Sequence, residues 1–162
     1  MCSLLLKMPE VDQIRVLNHK FVLDRGFCLR YQIFEWLDPR TGAGAWSKGY
    51  GSLGPAGEAA ADTRLLYLRD QPPEMWVVPH AKRLGGQVQR ECKDIYEIRF
   101  KANGVQQRPL GYFSPGGGVF TIVLWATHKG RQWFRRDFCR IARSRWHAIQ
   151  KGTAATAEVE ID

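Results

Sequence analysis

Five residues in the second half of the chain have the types and spacing to handle a phosphodiester: Arg99, Arg108, His128, Lys129 and Arg131. Arg99 follows Glu97 and precedes Lys101 at two-residue steps, the period at which side chains share one face of a strand. Arg108 falls in the next apolar run, and His128, Lys129 and Arg131 follow the one after that. Antiparallel pairing would bring all five to one face. Arginines and a lysine there could hold a scissile phosphate and stabilise the charge that grows on its oxygens in the transition state. A neighbouring proton carrier would take the proton from an RNA 2′-hydroxyl, and an acid would protonate the leaving 5′ oxygen. The competing reading is that Glu97, Arg99 and Lys101 are ordinary solvent-facing residues engaged in cross-strand pairing.

Charge favours a polyanionic partner. Residues 1–81 carry nine basic and nine acidic side chains, residues 82–151 carry fifteen against four, and residues 152–162 carry three acids alone. An excess gathered into one block suits RNA, DNA or an acidic protein segment, although a basic surface can serve solubility alone. Lys101, with Arg136, Arg140 and Arg143 at helical spacing, are the candidate RNA-binding residues. Trp133 and Trp146 lie beside arginines and could stack on bases, but helix packing accounts for them equally well. Trp125, inside an apolar run, is expected in the core. Gly49-Tyr-Gly-Ser-Leu-Gly54 has the letters of a dinucleotide-binding loop, but it lacks a preceding strand and a parallel strand after it, so a flexible loop is expected. Cys2, Cys28, Cys92 and Cys139, like the four histidines, show no zinc-ligand spacing. Free thiols, no metal and no cofactor are expected.

The elements that would position these residues follow from periodicity. Residues 27–37 alternate as a half-buried strand, with 14–23 as a hairpin partner. Residues 39–57 hold six glycines and are expected to be a loop. Pro55 suits a first helical position, and Ala61, Leu65 and Leu68 mark a helix over 58–69 that Pro72-Pro73 ends. Residues 74–84 form a connector or short helix. Residues 94–101, 106–113 and 119–127 form a three-strand antiparallel meander. Its turns are Asn103-Gly104 and 114–118, and Pro109 suggests an edge or a bulge. The last strand is apolar throughout, as a buried central strand is. A helix over 134–150 presents Phe134, Phe138, Ile141 with Ala142, Arg145 and Ile149 on one stripe, with Gly152 as its C-cap. The organisation expected is an N-terminal extension over 1–40 that can hold the first strand or strands, one domain over 41–151, and a mobile acidic tail over 152–162. No run is long and apolar enough to span a membrane. Leu4–Leu6 is too short for an export signal, so a cytoplasmic address is expected.

Several runs, taken in order, resemble the RelE/ParE toxin superfamily, and most of all its phage-derived, HigB-like branch. They are Pro72–Gly86, then Ile95-Tyr-Glu-Ile-Arg-Phe100, Arg108-Pro-Leu-Gly-Tyr-Phe113, Phe120–Leu124 with His128-Lys-Gly130, and Ala142 with Arg143 and Arg145. They cover about half of the chain. The resemblance implies an α+β fold: a small antiparallel sheet with N-terminal helices packed on it and a C-terminal helix. It implies a type II toxin, an mRNA endoribonuclease that leaves a 2′,3′-cyclic phosphate without a metal, often in the ribosomal A site. It implies a helix-turn-helix antitoxin as partner. By position it assigns Arg108 to the phosphate and Lys129 and Arg131 to a basic corner. Glu97 stands where well-known nuclease members have lysine, and Phe134 and Phe138 stand where some have a catalytic tyrosine, which leaves His128 as a substitute base. The same scaffold also carries gyrase inhibitors of the ParE type and phage-derived adaptors that cut nothing.

Overall fold

The computed structural model describes residues 31–161, except 86–89, 130–131 and 134–135, and the side chains of 90, 129, 132 and 133. The expected hairpin partner at 14–23 and Phe134 lie outside the described residues.

The strands are β1 (Gln32–Trp36), β2 (Ala81–Arg83), β3 (Tyr96–Ile98), β4 (Phe100–Ala102), β5 (Val105–Phe113), β6 (Val119–Lys129), β7 (Gln132–Trp133) and β8 (Thr156–Glu158). The helices are α1 (Ala45–Tyr50), α2 (Pro55–Arg69) and α3 (Phe138–Gln150). The fold is α+β. One sheet runs in the order β2-β3-β5-β6-β1-β8, with β4 beside β5 and β7 beside β6. Every pairing is antiparallel except β1 with β6.

The expected meander is present, and its first turn places Asn103 and Gly104 at φ 52 and 75, the left-handed pair a two-residue hairpin turn needs. Two apolar layers cover the sheet. Ala61, Leu65 and Leu68 of α2 and Trp46 of α1 pack over Ile98, Phe120 and Ile122 on one face. Phe138, Ala142 and Trp146 of α3 pack over Leu110, Leu124 and Ala126 on the other. Burial on both sides is why β6 reads as an unbroken apolar run.

Pro109 lies in a central strand, and the chain accommodates its missing N–H in two ways. The neighbouring strand is interrupted opposite it, between β3 and β4, while the Arg99 N–H, on the other edge, continues the β2 pairing to the His80 carbonyl at 2.9 Å. The β5–β6 register then shifts between Leu110 and Gly111, the bulge that proline suggests.

Other expectations need correction. The glycine-rich stretch contains α1, because Glu35 of β1 reaches across to its first turn. Its carboxylate accepts the N–H of Trp46 at 2.7 Å and of Ser47 at 2.9 Å, and also the Ser47 hydroxyl. That long-range cap substitutes for a local one. Gly44 is required beside it, since a Cβ there would overlap the Glu35 carboxyl group. Glu35→Ala is expected to cost about 1–2 kcal/mol, the usual loss for a cap, measured by urea denaturation, with amide exchange accelerated first in α1. Gly49-x-Gly-x-x-Gly54 is the end of this helix and its turn, and Gly49 packs directly on the Trp125 ring. The connector contributes the short strand β2. Helix α3 buries Phe138 and Ala142 of the expected stripe, with Cys139 and Trp146 beside them, while Ile141, Arg145 and Ile149 are half-buried. Arg145 escapes the apolar layer by lying 3.8 Å over the Trp36 ring and donating to the Val123 carbonyl at 2.8 Å. The tail contributes β8, paired with β1 and anchored by buried Val159. Cys92 and Cys139 are not free thiols. They form a disulfide, with Cα atoms 5.0 Å apart, tying the turn before β3 to α3.

Candidate functional site

Three register relations build a polar face next to the α3 apolar layer. Lys82 lies opposite Glu97 across β2 and β3. Glu97 lies opposite Leu110, which puts Arg108, two residues back on β5, on the same face. Gln106 lies opposite both Lys101 and His128. The α3 helix covers the Leu110–Leu124 part of this face, and the part toward the β4–β5 turn carries the charges.

Glu97 is the centre. Its side chain is 5% exposed, and its two oxygens face two guanidiniums: Arg99 Nε at 3.3 Å and Arg108 Nε at 3.7 Å. Arg108 is itself buried, and its Nη1 donates to Gln106 Oε1 at 3.1 Å and to the Gln107 carbonyl at 2.9 Å. The Arg99 side chain keeps 27% of its surface, and Lys101 is exposed. Burial pushes the Glu97 carboxyl above its ordinary range, opposed by Arg108, Arg99, Lys82 and His128 in that order. Burial likewise pulls the Arg108 guanidinium down, while Glu97 holds it up. Removal from water therefore outweighs the attractions on both partners.

Of the five residues first singled out, the structure brings Arg99, Arg108 and His128 to one face. Lys129 ends β6 beside them in sequence, with its side chain not described, and Arg131 lies outside the described residues. Arg108, expected to meet phosphate, is instead enclosed by Glu97 and its own strand neighbours. Among the described residues, exposed Lys82 and Lys101 and half-buried Arg99 are the cations open to a ligand here. Lys82 and Glu97 went unrecognised. Lys82 sits in a stretch with no strand signal, and strand alternation marks Glu97 as solvent-facing because it registers charge and not cover.

The α3 cations form a separate set. Arg136 is exposed, Arg140 pairs with Asp137 at 2.7 Å, and half-buried Arg143 faces the Tyr112 hydroxyl. That hydroxyl is pushed up to about 12 by burial, with Arg143 opposing. Trp146 is a packing residue, stacked on Tyr112 at 5.1 Å and 6°. Trp125 packs against the α1–α2 layer and donates to Gln107 Oε1 at 3.0 Å. Among the described residues no three or more His, Cys, Asp or Glu side chains gather as metal ligands, and no helix is long and apolar enough to cross a membrane. No family model, curated protein or solved structure matches this chain.

Proposed function

We propose that this chain is an RNA-cutting toxin of the RelE/ParE type, held inactive by a helix-turn-helix antitoxin. The observation that carries the reading is the gathering of Lys82, Arg99, Arg108 and His128 around buried Glu97 on one face of the sheet. It is supported by the concentration of positive charge in residues 82–151 and by the family resemblance, whose layout of N-terminal helices on the sheet and a C-terminal helix this fold shares.

In the proposed reaction the RNA supplies its own nucleophile. The 2′-oxygen attacks phosphorus, the bond to the 5′ oxygen breaks, and the products are a 2′,3′-cyclic phosphate and a 5′-hydroxyl. Arg99 and Lys101 would neutralise the non-bridging oxygens. His128 would carry a proton to or from the bridging ones. Glu97 would orient Arg99 from beneath. The substrate would be mRNA, free or on the ribosome.

Arg99→Ala is expected to lower cleavage about 10²- to 10³-fold, the effect of losing one transition-state donor. Primer extension on cellular mRNA after brief induced expression would show new ends for the wild type and nearly none for the variant. A second reading, a binding protein that inhibits gyrase or serves as an adaptor, gains from one observation: Arg108 is occupied by Glu97 and its strand, which leaves fewer cations for a phosphate. Growth arrest without new RNA ends would move the gyrase reading to the front. Neither arrest nor ends would leave the adaptor.

A further inference from the structure

Two open grooves of about 520 and 510 Å³ adjoin along α3, sharing Arg143 and His147. Arg140, Arg143, His147 and Lys151 line the first at steps of three and four residues, a single stripe about 16 Å long at the helical rise. Its acid is Glu91. The second groove is lined by half-buried Tyr96 and Phe113, whose rings also pack on each other and on Trp76, and by the stacked Tyr112–Trp146 pair. Lys93 adds a further cation, and the acid there, Asp94, is already paired with Arg83. A cationic stripe thus leads into a ring-lined recess.

That combination fits a ligand whose charge repeats along a backbone and whose side groups are flat. An acidic peptide would use the stripe and leave the rings idle. We infer that the α3 grooves form a binding track for single-stranded RNA, phosphates along Arg143, His147 and Lys151 and a base against Tyr96 and Phe113. The track rests on the RNA reading but is distinct from the Glu97 face. Leu110, covered by α3, lies between Tyr112 and Arg108 on β5 and separates the track from the Glu97 face.

The test is equilibrium binding of a labelled short oligouridylate over a series of salt concentrations, with tryptophan emission as a second reporter. Arg143→Gln/Lys151→Gln should weaken binding at least about tenfold at low salt. It should also reduce the slope of log affinity against log salt by about 1.4, as expected for two lost phosphate contacts on a single strand. Because Arg143 is half-buried, Arg140→Gln/Lys151→Gln, at two exposed positions, is measured beside it and should move the same way. Unchanged affinity and slope in both folded variants would overturn the track, as would displacement of the RNA by polyglutamate at equal charge. The two readings separate by readout: Arg99→Ala should remove cleavage, whereas the α3 variants should lower oligonucleotide affinity and its salt slope. Binding by a wild type that never cleaves would remove the nuclease and keep the track. Cleavage with unaltered binding in the α3 variants would do the reverse.

Discussion

Arg108→Ala should destabilise the fold by about 3–5 kcal/mol near pH 8, the usual loss when one partner of a buried ion pair is removed, and by clearly less near pH 5. Both halves follow from Glu97. Its folded-state carboxyl titrates above the ordinary 4.5 because burial outweighs the cations around it. A raised acid contributes stability that is full below its unfolded value and fades as pH climbs through the folded one. Arg108 is the strongest influence opposing that rise. Without it the folded value moves higher still, and Glu97 must hold a proton at neutral pH or remain charged and poorly compensated. Below its folded-state value Glu97 is neutral in either protein, and the missing guanidinium matters mainly as lost packing and hydrogen bonds. Urea denaturation across pH 5–8 would show a steeper decline for the variant than for the wild type. Parallel curves would mean that Glu97 does not depend on Arg108. The double variant Glu97→Gln/Arg108→Met should recover much of the loss, since replacing both members of a buried pair is often close to neutral. Arg108 is therefore a poor probe of RNA cleavage, and Arg99 is the better one.

Reduction of the Cys92–Cys139 bond should cost about 4 kcal/mol, between the values for short and very long closed loops, given a sequence separation of 47. The bond fastens α3 to the turn before β3, beneath an apolar layer that includes Ile95 and Leu110. Cys92→Ser and Cys139→Ser should each show the loss, and neither should respond further to dithiothreitol. An oxidised wild type no more stable than its reduced form would remove this role. The α3 amides would report it most directly, since their protection would fall before that of β5 and β6.

The legible parts of this fold were those in which local signals agreed with their surroundings. Asn103-Gly104, the alternation before it and the apolar run of β6 all point to the meander, and Pro55 with Ala61, Leu65 and Leu68 points to α2. The parts that were not legible depend on distant partners. Helix α1 forms because Glu35 caps it across the fold, and no local residue announces this. Strand β8 exists because β1 offers an edge, and TAATAEVEID on its own is only a polar tail. The cysteines meet because the meander and α3 bring residues 92 and 139 together. At the site, residue types identified Arg99, Arg108 and His128 on the sheet, but Lys82 lies in a stretch with no strand signal, and Glu97 hid in a charged stripe whose cover comes from other elements.

Strand β1 has a consequence for the order in which the chain can complete itself. Its two neighbours pair it at residues 119–122 and at 156–158. During synthesis, α1, α2 and the meander are all available before β1 can be enclosed on both edges. The stretch from 32 to 36, rich in aromatic and branched residues, must wait with unpaired backbone until the closing strand clears the ribosome. Such late, long-range closure slows folding and leaves a sticky edge exposed meanwhile. Nascent chains halted just short of residue 156 should therefore depend on chaperones far more than the finished protein does.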